Sequence, residues 1–159
     1  MRSTADADTA AAPGRLEAIW IKRSHGGVMD PAPRAALAPG RGIVGNADQG
    51  GRRQVTLIDR QAWDRVTEDL QGHVDPGVRR ANLLVSGLSL EGSRGRMLRV
   101  GGCRLLINGE TRPCHLMDET HPGLRQALAA PWRGGVFAEV LDAGEIEVGA
   151  PVTWADVER

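Results

Sequence analysis

Twenty-one glycines and nine prolines divide this 159-residue chain into short apolar runs. Glycine adopts positive φ without steric cost, and proline cannot donate a hydrogen bond to a helix or a central strand, so both end regular elements. A chain punctuated this often favours many short strands joined by tight turns over long helices. Leu16, Ala18 and Trp20 alternate with Glu17, Ile19 and Ile21, the pattern of a strand buried on both sides. Met29 to Leu37 is broken by proline and reads as an edge strand, followed by a flexible turn region at Gly40, Gly42 and Gly45. Gln54 to Ile58 is a short β-branched strand. Asp59 is placed to cap a helix carrying Trp63, Val66 and Leu70, which Gly72 stops.

Further strands are expected at Asn82 to Val85, around Leu98 and Val100, at Cys103, Leu105 and Ile107 after a Gly101-Gly102 turn, and at Val136 to Leu141. Pro122 starts a second short helix with Leu124 and Leu128 on one face, ending near Pro131. Ile146, Val148, Ala150, Val152 and Trp154 close the chain with a period of two. Residues 1–14 lack periodicity and read as a tail, and 15–157 read as one domain. The fold class expected is mainly β, barrel-like, with two or so short helices that plug or flank the barrel.

Lys and Arg total 20 and Asp and Glu total 20, so the formal net charge is zero, which argues against nucleic-acid binding through bulk charge. No apolar run reaches membrane-spanning length and no apolar signal core follows the acidic N-terminus, so a cytoplasmic protein is expected. Two cysteines make no disulfide scaffold, and in a reducing compartment both are expected as free thiols. Lys22 is the only lysine. Pyridoxal phosphate, which needs a lysine for its Schiff base, is therefore not expected in this chain.

The thiols differ in setting. Cys103 shares an apolar face with Leu105 and Ile107 and reads as a core residue. Cys114 follows Gly109, Arg112 and Pro113, read as a glycine turn where the chain leaves a strand, and precedes His115. Such a thiol is either a small buried residue or a ligand or nucleophile, with Arg112 and His115 favouring the thiolate. Cys114, His115 and His121 match no standard zinc spacing, and a Cys–His nucleophilic pair lacks a visible third member. Arginine pairs Arg52-Arg53, after Gly50-Gly51, and Arg79-Arg80 each precede a strand; guanidinium groups beside glycine suit a phosphate, and a solvated turn is the other reading. Trp132 is read as packed beneath a turn or on a pocket rim, and Asp118 and Glu119 as cap and first-turn charges of the helix that follows.

The chain resembles the MOSC domain family, named from the C-terminal domain of molybdenum-cofactor sulfurase. The likeness spans most of residues 15–154. It rests on Gly42-Ile43-Val44-Gly45, on the run from Gly51 through Arg52 and Arg53 to Ile58, and on Arg80-Ala81-Asn82-Leu83-Leu84-Val85-Ser86-Gly87. Gly109-Glu110-Thr111-Arg112-Pro113-Cys114 and Ile146-Glu147-Val148-Gly149 complete it. The resemblance implies a β-rich barrel and a molybdenum cofactor of the pterin type. It implies that Cys114 is the metal ligand and catalytic residue. Arg80, Asn82, Arg52, Arg53 and Arg112 would be the cofactor-binding residues. Many relatives carry Gly-Asp where this chain has Gly45-Asn46, with Asp48 two residues on. Larger relatives add an N-terminal domain that helps enclose the cofactor; without it the resemblance implies either a more exposed cofactor or a partner or second copy that covers it. The function implied is reduction of small N-hydroxylated compounds, with electrons from a separate reductase. The alternative is a sulfur carrier or cofactor-binding module in which Cys114 takes a persulfide from a sulfur donor.

Overall fold

The computed structural model describes residues 13–113 and 117–155. The chain runs through β1 (Gly14–Lys22), β2 (Met29–Ala32), β3 (Arg34–Ala38), β4 (Gly42–Ile43), β5 (Val55–Asp59) and helix α1 (Arg60–Asp69). A 3-10 turn (Pro76–Arg79), β6 (Leu83–Ser86), β7 (Met97–Val100) and β8 (Cys103–Glu110) follow. Helices α2 (Met117–Thr120) and α3 (Leu124–Leu128), then β9 (Val136–Val140), β10 (Gly144–Glu147) and β11 (Pro151–Trp154), complete the described order.

Seven strands close on themselves in the order β11-β7-β8-β9-β5-β6-β1, because β1 also pairs with β11 through Gly14 opposite Val152. Closure removes the exposed edges that an open sheet would present. The β5–β6 pair is parallel, whereas its barrel neighbours pair antiparallel. A parallel pair needs a long crossover, and α1 with the 3-10 turn supplies it. Strands β10, β3 and β4 form a separate three-stranded sheet.

Two apolar cores result. The barrel interior is filled by Leu16, Ile19, Val55, Leu57, Leu83, Leu98, Leu105 and Ile107 among others. A second core lies under the helices, where Trp20, Ile58 and Leu84 from the barrel wall meet Trp63, Val66, Leu124 and Leu128. Asp59 caps α1 as expected, its Oδ1 accepting from the Ala62 N–H at 2.8 Å. Its Oδ2 accepts from the Leu90 N–H, so one buried carboxylate joins the helix start to the loop after β6.

Several local expectations change. Met29 to Leu37 is two strands parted at Pro33, one joining β1 and the other the small sheet. The closing period of two likewise crosses two sheets, broken at Gly149, whose φ is +97°. In β1, Leu16 and Ile19 both face the barrel because the register shifts between Leu16 and Ala18. Gly109 is not in a turn. It lies inside β8 just past a register shift, and an added Cβ would come within 2.9 Å of the Phe137 ring. Asp118 and Glu119 lie in the first turn of a short helix of their own, and Asp118 still makes the contact expected of a cap, its Oδ1 accepting from the Arg125 N–H at the start of α3. No helix among the described residues is long and apolar enough to cross a membrane.

Candidate functional site

The end of β1, the loop before β5 and the corner before β6 converge on one polar cleft. Lys22, Met29, Asp48, Arg53, Gln54, Thr56, Arg80 and Asn82 line it, around a volume of about 50 Å³. That is well below the roughly 300–1,000 Å³ of ordinary ligand pockets. It suits one compact anionic group, such as the phosphate end of a larger ligand.

Buried amides fix this region. Asn82 Nδ2 donates to the Trp20 carbonyl at 3.0 Å and to Asn46 Oδ1 at 3.2 Å. Asn82 Oδ1 accepts from the Thr56 N–H at 3.0 Å and from the Thr56 hydroxyl at 3.2 Å. Asn46 Oδ1 also accepts from the Lys22 N–H at 2.9 Å. The Asn82 side chain is thus the bracket that ties β1, β5 and the Asn46 loop together behind the cleft. Gln54 does similar work from the other side, donating to the Gly51 carbonyl and accepting from the Val140 N–H.

The adjacent arginines take opposite roles. Arg79 is buried, its Nε donating to the Gly134 carbonyl and its Nη2 to the Thr111 hydroxyl, both at 3.1 Å. Arg80 is exposed, sits at φ +65° as the cap of the 3-10 turn, and donates from Nη2 to the Gly27 carbonyl at 2.6 Å. The left-handed corner turns consecutive side chains in different directions, one into the fold and one to the cleft.

Lys22 Nζ lies 2.7 Å from Asp48 Oδ2, and His25 Nδ1 lies 3.5 Å from Asp48 Oδ1. The hydrogen bond from Lys22 holds the Asp48 carboxyl below its ordinary range, against partial burial and with help from the charges of Lys22, His25 and Arg53. Among the described residues, three cations and one carboxylate share the cleft, a positive balance.

The cleft brings Arg53, Arg80 and Asn82 together. Arg52 does not line it; its carbonyl accepts from Asn108 Nδ2 at 2.8 Å. Arg112 is exposed, with Nη2 3.8 Å from Glu110 Oε1. Cys114, with His115, lies outside the described residues. Its described flanks are both anchored near the corner that carries Arg80: Thr111 accepts from Arg79, and α2 packs on the 3-10 turn with Met117 in the second core. Cys103 is buried in the barrel as expected, its thiol pushed up by burial and then by the charge of Asp142. No three His, Cys, Asp or Glu side chains gather as a metal site among the described residues. Trp132 packs against the barrel core at φ +66° and donates its backbone N–H to Glu110 Oε2.

A model of the MOSC domain matches residues 22–153. The chain belongs to the MOSC domain family. The match begins at Lys22 and spans every residue of the cleft, as well as Cys114. Among solved structures, the YUAD protein from Bacillus subtilis is similar at 20% identity and a TM-score of 0.75, over 87% of this chain and 93% of that one. YiiM from Geobacillus stearothermophilus is similar at 18% identity and 0.71, over 90% and 75%. YiiM from Escherichia coli is similar at 17% and 0.65, over 89% and 69%. At these identities the likeness shows the shared fold. No curated protein matches the chain by sequence. The MOSC family is associated with molybdenum-cofactor binding. Of the cleft residues in this MOSC domain, sequence reasoning missed the functional potential of Lys22 and Thr56. The signal for Lys22 was its standing as the sole lysine, at the end of a strand.

Proposed function

We propose that this MOSC domain binds a molybdenum–pterin cofactor, with the cofactor's phosphate in the cleft formed by Lys22, Arg53, Arg80 and Thr56. The observation that carries the reading is the convergence of Arg53 and Arg80 with Lys22, from three separate segments, around a space of phosphate size. Guanidinium and ammonium groups are donors suited to a phosphate monoester. Arg53 and Arg80 would fork onto phosphate oxygens and Lys22 would add a point charge, while Thr56, whose hydroxyl proton goes to Asn82 Oδ1, would help fix the cleft wall. Asn82 and Asn46 would hold these groups in register from behind. Cys114 would supply the thiolate ligand to the metal.

When bound, the cofactor would supply oxygen-atom-transfer chemistry. The overall reaction proposed removes oxygen from a small N-hydroxylated compound. The N–O bond breaks, two electrons and two protons are taken up, and the products are the N–H compound and water. A separate reductase would supply the electrons.

Protein made in a cofactor-producing host and isolated without oxygen tests the reading. The wild type is expected to carry molybdenum and pterin and, with an electron donor, to reduce an N-hydroxylated amidine. Cys114→Ser is expected to lose turnover. A wild type free of both molybdenum and pterin would contradict the proposal. A persulfide on Cys114 after desulfurase treatment, with no turnover, would instead favour the sulfur-carrier role.

A further inference from the structure

The cleft contains an anion of its own. Lys22 and Asp48 meet at its mouth, where their side chains are 23% and 44% exposed, so the pair reaches water and its partners can exchange. The backbones beneath them are fixed. The Lys22 N–H donates to Asn46 Oδ1, and the Lys22 carbonyl accepts from the Ala47 N–H. Exchange therefore needs only side-chain rotation. Of the other charges nearby, Arg23 pairs with Asp30, Arg80 donates to the Gly27 carbonyl, His25 leans on Asp48 from the solvent side, and Arg53 acts on Asp48 through its charge alone, so Lys22 is the cation that hydrogen-bonds it.

We infer that Asp48 is a built-in competitor, which holds Lys22 in the free cleft and is displaced from it when an external anion binds. The inference rests on the cleft being the anion subsite proposed above. It assigns Asp48 a role as the residue that sets affinity. An entering anion must take Lys22 from a carboxylate that needs no diffusion to reach it, and must then remain beside that displaced charge. Both effects weaken binding, and the second grows with the ligand's charge, so a dianion is penalised more than a monoanion. The depressed titration of Asp48 agrees with a tight pairing before ligand arrives.

The test uses the full chain with sulfate as the dianion probe and nitrate as the monoanion. Backbone amide shifts of Thr56 and Asn82 are followed by NMR at constant ionic strength. Asp48→Asn is expected to tighten sulfate binding about tenfold or more and nitrate binding less. The same substitution in a Lys22→Gln background is expected to gain clearly less, because no ammonium remains to be freed. An Asp48→Asn variant that binds sulfate no better than the wild type would overturn the inference while leaving the anion subsite standing. A gain undiminished by Lys22→Gln would also overturn it, since Asp48 would then act by general repulsion and not as a competitor for Lys22. If neither wild type nor Asp48→Asn shifts with sulfate, the subsite and the inference fail together.

Discussion

Strand β5 carries two unlike regions on one backbone. Val55 and Leu57 point into the barrel and are fully buried, whereas Thr56 between them faces the cleft and is partly exposed. The barrel side is held by apolar area removed from water, which is non-directional and large. The cleft side is held by directed hydrogen bonds from Asn82, Asn46 and Thr56, each modest in net worth. The contrast explains how a small domain can carry a cluster of like charges. The barrel supplies stability, and the amide bracket holds Lys22, Arg53 and Arg80 at a shared opening without neutralising them.

If the two regions are separable, substitutions in one should leave the other's readout intact. The largest effect is expected for Leu57→Ala, which opens a cavity in the barrel and should cost about 2–5 kcal/mol by denaturant unfolding. The folded fraction should still bind anions like the wild type; lost binding would show that barrel packing and cleft geometry are not independent. Asn82→Ala should cost about 1–3 kcal/mol, because it leaves the partly buried Thr56 N–H short of its partner. Unlike Leu57→Ala, it should also weaken anion binding in the folded protein, as read by amide shifts. Arg80→Gly sharpens the contrast from the other side. Glycine suits the left-handed corner, so stability should stay within about 0.5 kcal/mol of wild type, while anion affinity falls roughly tenfold.

The smallest effects concern acid. Asp142 is held at about 2 by hydrogen bonds from the Arg104 side chain and backbone N–H, with burial opposing and the Arg104 and Arg99 charges assisting. A carboxyl depressed in the folded state adds stability above its unfolded value near 4, and that stability is lost as pH falls toward 2. Asp142→Asn should therefore flatten the acid limb of the stability curve between about pH 4 and 2. Asp48 is depressed in the same direction. Its contribution should shrink when sulfate occupies the cleft, whereas that of Asp142, paired with Arg104 near the start of β8, should not.

What the sequence made legible was local. Glycine and proline marked the strand ends, Asp59 marked a helix start, and the company of Cys103 marked a core thiol. The barrel's closure was not legible, because Gly14 and Val152 meet only through the global topology. Nor were the register shifts in β1 and β8, which reverse the inward side of a strand without any change in residue type. In the cleft, Arg53, Arg80 and Asn82 were named as site residues, yet their roles differ: two arginines reach the opening, and the asparagine braces it from behind. The Lys22–Asp48 pair escaped notice because its partners belong to separate elements, joined only once the Asn46 loop folds back on the end of β1.

The most direct test of the cleft's role is the cofactor content of an Arg53→Ala/Arg80→Gly double variant, isolated beside the wild type from a cofactor-producing host. Molybdenum and pterin should both fall at least about tenfold in the variant, with its unfolding curve close to wild type. A double variant that carries as much of both as the wild type would contradict the assignment of this cleft to the cofactor.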